Sequence, residues 1–556
     1  MSNVFLKKLK VINFGPIKND EVSLEPFTYF IGRNNSGKSH YLKAIELLLS
    51  PKDPSSEEII KLQNDKSQAI RIEGEFKGVS DFTSLVTSSN HKESIDNAIK
   101  DGVLRVVRNL FPNNDEKTMF GIYDNKGEIH NPGGFKTNLL KVLPEPITIL
   151  AIADTADELK NTQNTALSKL KKEALTVFFE ELKIKTQETL IKLDEYLHSK
   201  DCTQRSSELT KFENNLKEEL MGEFSDVVPS IEFTLPNEEV IAKEMKIFLD
   251  DGYKSEIEQK GHGLQRAMLL ALLKVLAKHG AKYQERPSPI FLIGEIESFL
   301  HPFAQKQLSE ILLRLSDQYQ LVTTTHSPFI ISPQAIEGYR RIQKNGFGTH
   351  SISVQKDGTD INLIKRLLER RDNLEGLFAD RIILIEGCHD ENFFYKLLEI
   401  FDIHLPENKF TRFIKTNGKS DLRQARRFYQ QMNFEDVSII CDLDYLFSCD
   451  FVYLLQELNL GGQYSKELRE YIEWNTNGDP PLNTVIKKLE EKGQPAFLKN
   501  IIEQLSNSKI FVLSKGAPEH YYKNSPGIKN GWEEIKSEND LLESDYLKQI
   551  MISIIS

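Results

Sequence analysis

Five acidic residues in the last third of the chain follow short apolar segments, and together they could carry metal chemistry: Glu386, Asp390, Asp442, Asp444 and Glu519. The apolar segments, at 381–385, 437–441 and 510–513, have the length of buried strands. Parallel strands of one sheet end at the same edge, so the acids are expected to meet there. Clustered carboxylates repel one another unless a cation neutralises them, and oxygen ligation suits Mg²⁺ or Mn²⁺. Two such ions can activate a water and stabilise the leaving oxygen in phosphodiester cleavage.

A single acid after a strand is weak evidence, because such residues commonly cap helices or form surface turns. The ordered set is more specific, since Glu386-Gly387-x-x-Asp390 precedes Asp442-x-Asp444 by 56 residues (442 − 386). This order resembles the Toprim fold of topoisomerases, primases and OLD-family nucleases. An acid at the position of Asp390 resembles the pattern of the nuclease branch, which has two metal sites. The resemblance implies that Glu386 and Asp390 serve one metal, while Asp442 and Asp444 serve the other.

The same resemblance implies a late acid and a lysine that stabilises the transition state. Glu519 stands in a Lys-Gly-x-x-Glu context and is the predicted late acid. Lys515 is the predicted catalytic lysine, and Lys523 and Lys529 stay open as alternatives because the spacing does not separate them.

A second set of residues is arranged to bind phosphate. Residues 32–39, Gly-Arg-Asn-Asn-Ser-Gly-Lys-Ser, fit G-x-x-x-x-G-K-[ST] at every fixed position, after a strand-like segment at 28–31. The glycines let backbone N–H groups wrap a phosphate, Lys38 brings its charge to the β/γ-phosphates, and Ser39 can ligate Mg²⁺. The pattern predicts ATP binding through Gly32, Asn34, Asn35, Gly37, Lys38 and Ser39.

The first residues narrow the class of ATPase. A strand-like segment at 9–14, followed by Gly-Pro-Ile at 15–17 and the phosphate loop, resembles RecF/SMC-like ABC ATPases. The resemblance continues in the Walker B-like segment 291–297, the loop 298–302 and the switch segment 324–328. In that family the signature loop of one subunit closes on the nucleotide of a second. The resemblance therefore adds to the nucleotide site Gly261, Gly263 and Gln265 of the signature loop, together with Glu295 and His326.

One position departs from that family. Two successive acids usually follow the Walker B strand, the first holding Mg²⁺ through water and the second polarising the attacking water. Here Gly294 occupies the first position and Glu295 the second, and glycine has no side chain that could hold a metal. We therefore expect ATP to bind but to be hydrolysed slowly or not at all. Glu297 would need a shifted loop to substitute for the missing acid.

Four basic residues between the two acid clusters are candidates for DNA contact: Lys419, Arg423, Arg426 and Arg427. Their spacing of i, i+4, i+7 and i+8 forms one stripe on a helix, which suits contacts to phosphates. A solvated helix face is the alternative interpretation. The formal net charge of −11 argues against a general coating of nucleic acid, so any DNA contact is expected to be local.

Alternating strand-like and helix-like segments predict an α/β protein with mainly parallel sheets. We expect an ABC-type ATPase at 1–154 and 226–368, a helical insertion at 155–225, and a Rossmann-like Toprim domain at 369–556. The insertion is inferred from a proline-free stretch rich in Lys, Glu, Leu, Gln and Thr. A dimerisation element and a solvated subdomain both fit that composition.

The composition is that of an ordinary soluble protein, with 39% hydrophobic and 28% charged residues. The chain has no run of about 18 apolar residues and no apolar leader at its start, so we expect neither a membrane partner nor secretion. Its four cysteines are scattered and form neither a disulfide framework nor a C-x-x-C pair. We therefore expect a cytoplasmic protein with reduced thiols.

The order of ATPase, insertion and Toprim resembles the OLD-family endonucleases over nearly the whole chain, including the nuclease of Gabija-type bacterial defence and those found with some retrons. The resemblance implies a homodimer or larger homo-oligomer, ATP-regulated and metal-dependent DNA cleavage, and phage resistance. A defence partner, protein or nucleic acid, would leave no pattern in the sequence. Two alternatives lack nuclease activity, namely an ATP-gated DNA-binding sensor and a RecF-like repair ATPase. Nicking or double-strand cutting, and the sign of ATP's effect, stay open.

Overall fold

The computed structural model describes residues 3–111, 119–149, 247–250, 252–260, 286–298, 300–355, 360–407, 409–460, 463–474 and 478–555. It also describes a few single positions between 169 and 276. Apart from a few helical positions such as Leu170, the predicted insertion at 155–225 lies outside the described residues. The predicted signature-loop residues Gly261, Gly263 and Gln265 also lie outside them.

The strands of the described residues fall into four sheets. In chain order they are β1 (Phe5–Phe14), β2 (Ile17–Ser23), β3 (Phe27–Ile31), β4 (Ile70–Lys77), β5 (Val103–Leu110), β6 (Met119–Tyr123), β7 (Ile129–His130), β8 (Pro146–Ile149), β9 (Phe248–Asp250), β10 (Lys254–Glu256), β11 (Ile290–Gly294), β12 (Gln320–Thr324), β13 (Tyr339–Asn345), β14 (Gly348–Ser353), β15 (Arg381–Ile385), β16 (Thr411–Lys415), β17 (Asp436–Asp442) and β18 (Ile510–Leu513).

The α-helices with described bounds connect and cover these strands. In chain order they are α1 (Lys38–Leu49), α2 (Ser56–Leu62), α3 (Ser89–Ala98), α4 (Phe135–Lys141), α5 (Pro302–Leu315), α6 (Ile361–Glu369), α7 (Arg371–Glu375), α8 (Cys388–Ile400), α9 (Leu422–Gln431), α10 (Cys449–Glu457), α11 (Gln463–Tyr471), α12 (Leu482–Lys492), α13 (Ala496–Asn507), α14 (Ser544–Ile555).

Two six-stranded sheets build the N-terminal domain. The first is antiparallel, in the order β2-β1-β4-β5-β6-β7. The second has the order β14-β13-β3-β12-β11-β8, and its strands are parallel except for β14, which pairs antiparallel with β13. Every residue of β3, β11 and β12 is buried, as expected for central parallel strands covered on both faces.

Helix α1 begins at the end of the phosphate loop and lies between these two sheets. Its apolar residues recur at helical spacing, and Tyr41, Leu42, Ile45, Leu48 and Leu49 are all buried. They pack into one core with residues from both sheets. Each such side chain contributes about 1.5–3 kcal/mol by leaving water, so the core fixes α1 firmly relative to the phosphate loop.

A four-stranded parallel sheet in the order β16-β15-β17-β18 builds the C-terminal domain. Alternate residues of β15 enter different cores, with Ile382 and Leu384 on one face and Ile383 and Ile385 on the other. Helices therefore cover both faces, and only the sheet edges are left for a site. The predicted α/β class is confirmed, with parallel pairing in the second and third of these sheets. None of the helices in the described residues has the length and apolar character that a membrane span requires.

Candidate active site and nucleotide site

Three carboxylates meet at the carboxyl edge of the four-stranded sheet. Glu386 follows β15 directly, Asp442 is the last residue of β17, and Asp444 lies in the 3₁₀ turn after it. The ligand oxygens of these three residues all lie within 4.8 Å of one another. The backbone N–H of Asp442 donates to Glu386 Oε1 at 3.2 Å and ties the two strand ends together. Parallel pairing of β15 with β17 brings these distant residues into one group.

Two further predicted acids flank this group. Asp390 lies in the first turn of α8, where its Oδ2 accepts a hydrogen bond from the Gly387 N–H at 2.8 Å. Glu519 lies in the 3₁₀ turn that follows β18. Burial, and then neighbouring charges that include Glu519, raises the pKa of Asp390 and of Asp442. The predicted acids therefore gather at one sheet edge, with Glu386, Asp442 and Asp444 in the closest group.

Burial and the charges of their neighbours raise the pKa of two of these carboxyls, Glu386 and Asp442. Burial, followed by the charge of Asp444, raises the pKa of Glu386 to about 7. Burial, followed by the charge of Glu386, raises the pKa of Asp442 well above its usual range. A cation among the oxygens would remove this repulsion. Because all the donors are carboxylate oxygens, the residues present fit a hard divalent ion such as Mg²⁺ or Mn²⁺.

The loop after β3 combines a glycine of positive φ with a buried lysine, as the predicted phosphate loop requires. Gly37 adopts a φ of 101° just before α1, where a Cβ atom would lie 2.8 Å from Thr349 Oγ1. Buried Lys38 donates to the carbonyl oxygens of Gly32 at 3.1 Å and Arg33 at 2.9 Å. Burial lowers the pKa of Lys38 to about 8, so a bound phosphate would also restore its full charge. The other predicted residues of the loop are exposed to solvent, namely Asn34, Asn35 and Ser39.

Two acids after β11, Glu295 and Glu297, contact the segment that follows the neighbouring strand β12. Gly294 ends β11, and Glu295, with a φ of 48°, places its Oε1 3.5 Å from His326 Nε2. Buried Glu297 accepts hydrogen bonds at its Oε1 from Thr325 Oγ1 at 2.6 Å and from the His326 N–H at 3.0 Å. Glu297 therefore positions the segment that carries His326. Sequence reasoning missed this role, although an acid two residues after Glu295 was the available signal.

Two family models match the chain. Residues 5–331 match the AAA ATPase domain, and residues 377–444 match the TOPRIM domain described as overcoming lysogenization defect protein-like. The second match begins just before β15 and ends at Asp444, so it contains four of the predicted acids. The chain belongs to the AAA ATPase domain family, and its C-terminal part contains a domain like the OLD TOPRIM domain. The AAA ATPase domain covers more than half of the chain, and the predicted enzyme class, a nuclease with an ATPase domain, is confirmed.

Three curated relatives of this chain are named as nucleases. The chain is 26% identical over 556 residues to the Old nuclease of Escherichia phage P2, covering 93% of both chains. It is 21% identical over 439 residues to the OLD nuclease of Thermus scotoductus, covering 75% of this chain and 78% of that one. It is 26% identical over 183 residues to endonuclease GajA of Bacillus cereus, covering 32% of this chain and 28% of that one.

Two of the predicted site lysines form ion pairs with acids of the C-terminal domain. Lys515, the predicted catalytic lysine, places its Nζ 3.3 Å from Glu543 Oε1, and so turns toward an acid outside the predicted set. Lys419, predicted to contact DNA, instead donates from its Nζ to Asp444 Oδ2 at 2.7 Å. The turn that carries Lys419 follows β16, whose end lies beside that of β15 in the sheet. Sheet order therefore brings Lys419 to the acids.

The predicted basic stripe on α9 is occupied by contacts within the domain. Arg423 donates to Asp450 at 2.9 Å and to Glu457 at 2.8 Å, and Arg427 Nη1 lies 3.9 Å from Glu457. Arg426 donates to a backbone carbonyl at 3.3 Å, and burial lowers its pKa. Both acids belong to α10, whose position beside α9 the spacing of the basic residues does not show. The arginines of α9 therefore form ion pairs and hydrogen bonds within the domain and do not form a free basic stripe.

The phosphate loop touches the Toprim domain directly. Arg33 Nε donates to Asp380 Oδ1 at 2.6 Å, and Arg33 Nη2 pairs with the same carboxylate. Asp380 immediately precedes β15, the strand that leads to Glu386. The other oxygen of Asp380 accepts from the Phe410 N–H at 2.9 Å, just before β16. The nucleotide loop is thus connected to the amino-terminal end of a strand whose other end carries an acid of the site.

Further contacts close this junction around a cleft of about 580 Å³. Arg341 of β13 donates to the carbonyl of Asn433 at 2.7 Å and packs over the ring of Phe434. The Asn433 amide donates to Gln343 Oε1 at 2.7 Å. The cleft is lined by the phosphate loop and β13 from one domain, and by the segments that lead into β15 and β17 from the other. No sequence pattern pointed to this contact, because its residues are ordinary polar residues far apart in the chain.

Proposed function

We propose that this chain is a DNA endonuclease that requires a divalent metal ion and whose cutting is regulated by ATP. The observation that supports it most directly is the group Glu386, Asp442 and Asp444, whose ligand oxygens lie within 4.8 Å of one another. Such a group is costly to bury without a cation, and hard divalent ions are well suited to carboxylate oxygens. The relatives named Old nuclease and endonuclease GajA support phosphodiester cleavage as the reaction.

In this proposal Glu386, Asp442 and Asp444 would hold Mg²⁺ or Mn²⁺, with Asp390 and Glu519 beside them. When bound, the ion would supply the charge that activates a water and stabilises the leaving 3′-oxygen. The chain's own contribution is orientation. The Asp442 N–H holds Glu386, and an N–H at the start of α8 holds Asp390, so both carboxylates are fixed before an ion or DNA arrives.

Plasmid cleavage tests the nuclease proposal. Supercoiled DNA would be incubated with the protein in Mn²⁺, in Mg²⁺ and in EDTA. We expect cutting only with a divalent ion, and Asp442→Asn to reduce its rate about a hundredfold or more, since it removes a charged ligand. Asp402→Asn is the matched control, because Asp402 is an exposed acid of the same domain. Cutting by Asp442→Asn at the wild-type rate would refute the assignment, and no cutting by any form would favour a DNA-binding sensor.

ATP regulation is supported by the ion pair between Arg33 of the phosphate loop and Asp380 before β15. Phosphates bound in the loop change the charge around Arg33, and β15 offers a rigid connection to Glu386. We expect ATP to change the wild-type cutting rate at least about threefold. Lys38→Ala should abolish this response by preventing ATP binding. Asp380→Asn should bind ATP normally yet respond weakly, and an undiminished ATP response in Asp380→Asn would contradict this connection.

The proposal also includes a homo-oligomer and a role against phage, both of which follow from the family resemblance. Light scattering on the purified chain, with and without ATP, tests assembly, and a monomer in both conditions would contradict it. Phage plating on cells that express the wild type or Asp442→Asn tests defence. We expect fewer plaques only with the wild type, because protection through DNA cutting requires the carboxylate site. Equal plating on the two strains would contradict a defence role.

A further inference from the structure

Lys419, which the sequence predicts to contact DNA, is hydrogen-bonded to an acid of the proposed metal site. Its Nζ lies 2.7 Å from Asp444 Oδ2, and the two side chains are only 21% and 13% exposed. Asp444 belongs to the group whose ligand oxygens lie within 4.8 Å of one another. The ammonium therefore bonds to a carboxylate that a divalent ion would use.

The turn that carries Lys419 is held in place by specific contacts. Gly418 adopts a φ of 115°, a conformation that favours glycine. Thr416 Oγ1 donates to the carbonyls of Gly418 at 3.0 Å and Ile385 at 3.1 Å, which fixes the turn to the end of β15. The Asp421 N–H donates to the same Gly418 carbonyl at 3.2 Å. The backbone of the turn is fixed, and the lysine side chain is left as the movable part.

The chemistry of lysine suits a temporary partner. An ammonium is a point charge on a flexible four-carbon stem, whereas neighbouring Arg423 is held by Asp450 and Glu457 in a fixed network. Lys419 can thus leave Asp444 by rotating its own side chain. An ammonium and a divalent ion on adjacent carboxylate oxygens repel each other, so binding of the ion would favour that departure.

We propose that Lys419 exchanges partners when the site is loaded: without a divalent ion it neutralises Asp444, and with the ion bound it contacts a backbone phosphate of the DNA. This inference rests on the proposed function, since it needs both a metal site and a DNA substrate. Two consequences follow. Lys419 opposes metal binding, and it contributes to DNA binding only when the metal is present.

Mn²⁺ binding tests the first consequence, measured by the loss of the free-ion EPR signal. Lys419→Met keeps the length of the stem and removes the charge. Because the wild type must break a charge-assisted hydrogen bond to load the ion, we expect Lys419→Met to bind Mn²⁺ about tenfold more tightly. Lys466→Met, at a side chain that is 80% exposed, is the control and should match the wild type. Unchanged or weaker Mn²⁺ binding by Lys419→Met would overturn the exchange.

DNA binding tests the second consequence, measured by fluorescence anisotropy of a labelled duplex in Ca²⁺ and in EDTA. In Ca²⁺ we expect Lys419→Met to lose at least about threefold in affinity and about one unit of the salt slope, because one phosphate contact is gone. In EDTA we expect no difference from the wild type, since the lysine is then bonded to Asp444. A loss in both conditions would indicate a permanent DNA contact and overturn the exchange, as would a loss in neither.

Two further variants separate this inference from the proposed function and from misfolding. Asp442→Asn should abolish Mn²⁺ binding, and if the wild type binds no Mn²⁺ the proposed function fails and the exchange fails with it. If the wild type binds and Lys419→Met is indistinguishable from it, only the exchange fails. Lys419→Arg keeps the charge, so its Mn²⁺ affinity should stay within about twofold of the wild type. Affinity as tight as that of Lys419→Met would overturn the role of charge.

Discussion

Metal binding at the carboxylate group should depend steeply on pH, because the site holds protons that a divalent ion must displace. Burial and the charge of Asp444 raise the pKa of Glu386 to about 7, whereas an unfolded glutamate has a value of about 4.5. The folded chain therefore keeps this proton through the range from about pH 4.5 to about pH 7, and it loses stability as the pH rises through that range. A bound cation would oppose this shift, because it favours the charged form of the carboxyl.

The magnitude follows from the ionised fraction. A carboxyl with a pKa of about 7 is about one tenth ionised at pH 6 and about nine tenths ionised at pH 8. If only the ionised form binds, the affinity for Mn²⁺ should rise about tenfold between these two pH values through Glu386 alone. Burial also raises the pKa of Asp442 well above its usual range, so tenfold is the lower bound.

Isothermal titration calorimetry with Mn²⁺, at pH 6 and pH 8 and in buffers of different ionisation enthalpy, measures both the affinity and the protons released. At pH 6 we expect the release of about one proton or more per site. Glu386→Gln keeps the volume of the side chain, and it should bind more weakly and release about one proton fewer. Affinities that agree within about twofold at the two pH values, with no proton released at pH 6, would refute the assignment of a protonated, buried site.

Three other changes test the structure in different places. Gly294→Asp returns a carboxylate to the end of β11, and phosphate release should rise at least about tenfold above a slow wild type; an unchanged rate would contradict the reason given for slow hydrolysis. Gly338→Ala would place a Cβ atom 1.8 Å from the Phe27 carbonyl oxygen, so it should lower the free energy of unfolding in urea by about 1–3 kcal/mol. Gly346→Ala is the control and should be neutral, because its Cβ atom would have no atom within 4 Å. Arg381→Met breaks an ion pair at the start of β15 and should cost about 1–3 kcal/mol, because Lys509 still pairs with Asp436. A loss below about 1 kcal/mol would show that the pair is not needed.

The phosphate loop and the acids could be predicted because their chemistry is local or depends on a simple rule of sheet geometry. The residues around Gly37 and Lys38 form their cradle within one strand-loop-helix unit. Glu386 and Asp442 are far apart in sequence, but both end parallel strands, and such ends meet at one edge. Patterns of this kind need no knowledge of how helices pack.

The partners of the charged side chains could not be predicted in the same way. Arg423 and Arg427 have the spacing of a free stripe, yet α10 lies against α9 and supplies acids that pair with them. Lys419 and Lys515 are equivalent in residue type, and only the order of strands places Lys419 beside Asp444. A long side chain can satisfy its charge with any neighbour within reach, so its role depends on which elements pack together.

By itself, the sequence determined the α/β class and the order of the ATPase and Toprim domains, and it predicted the nucleotide loop and the acids. Strand periodicity and strand-end residues are local properties that can be recognised without tertiary information. Only the tertiary structure decided which lysine reaches the acids, that Glu297 holds the His326 segment, and that Arg33 joins the phosphate loop to Asp380. Each of these contacts joins residues from different elements. It can form only when the packing of those elements brings donor and acceptor within hydrogen-bonding distance.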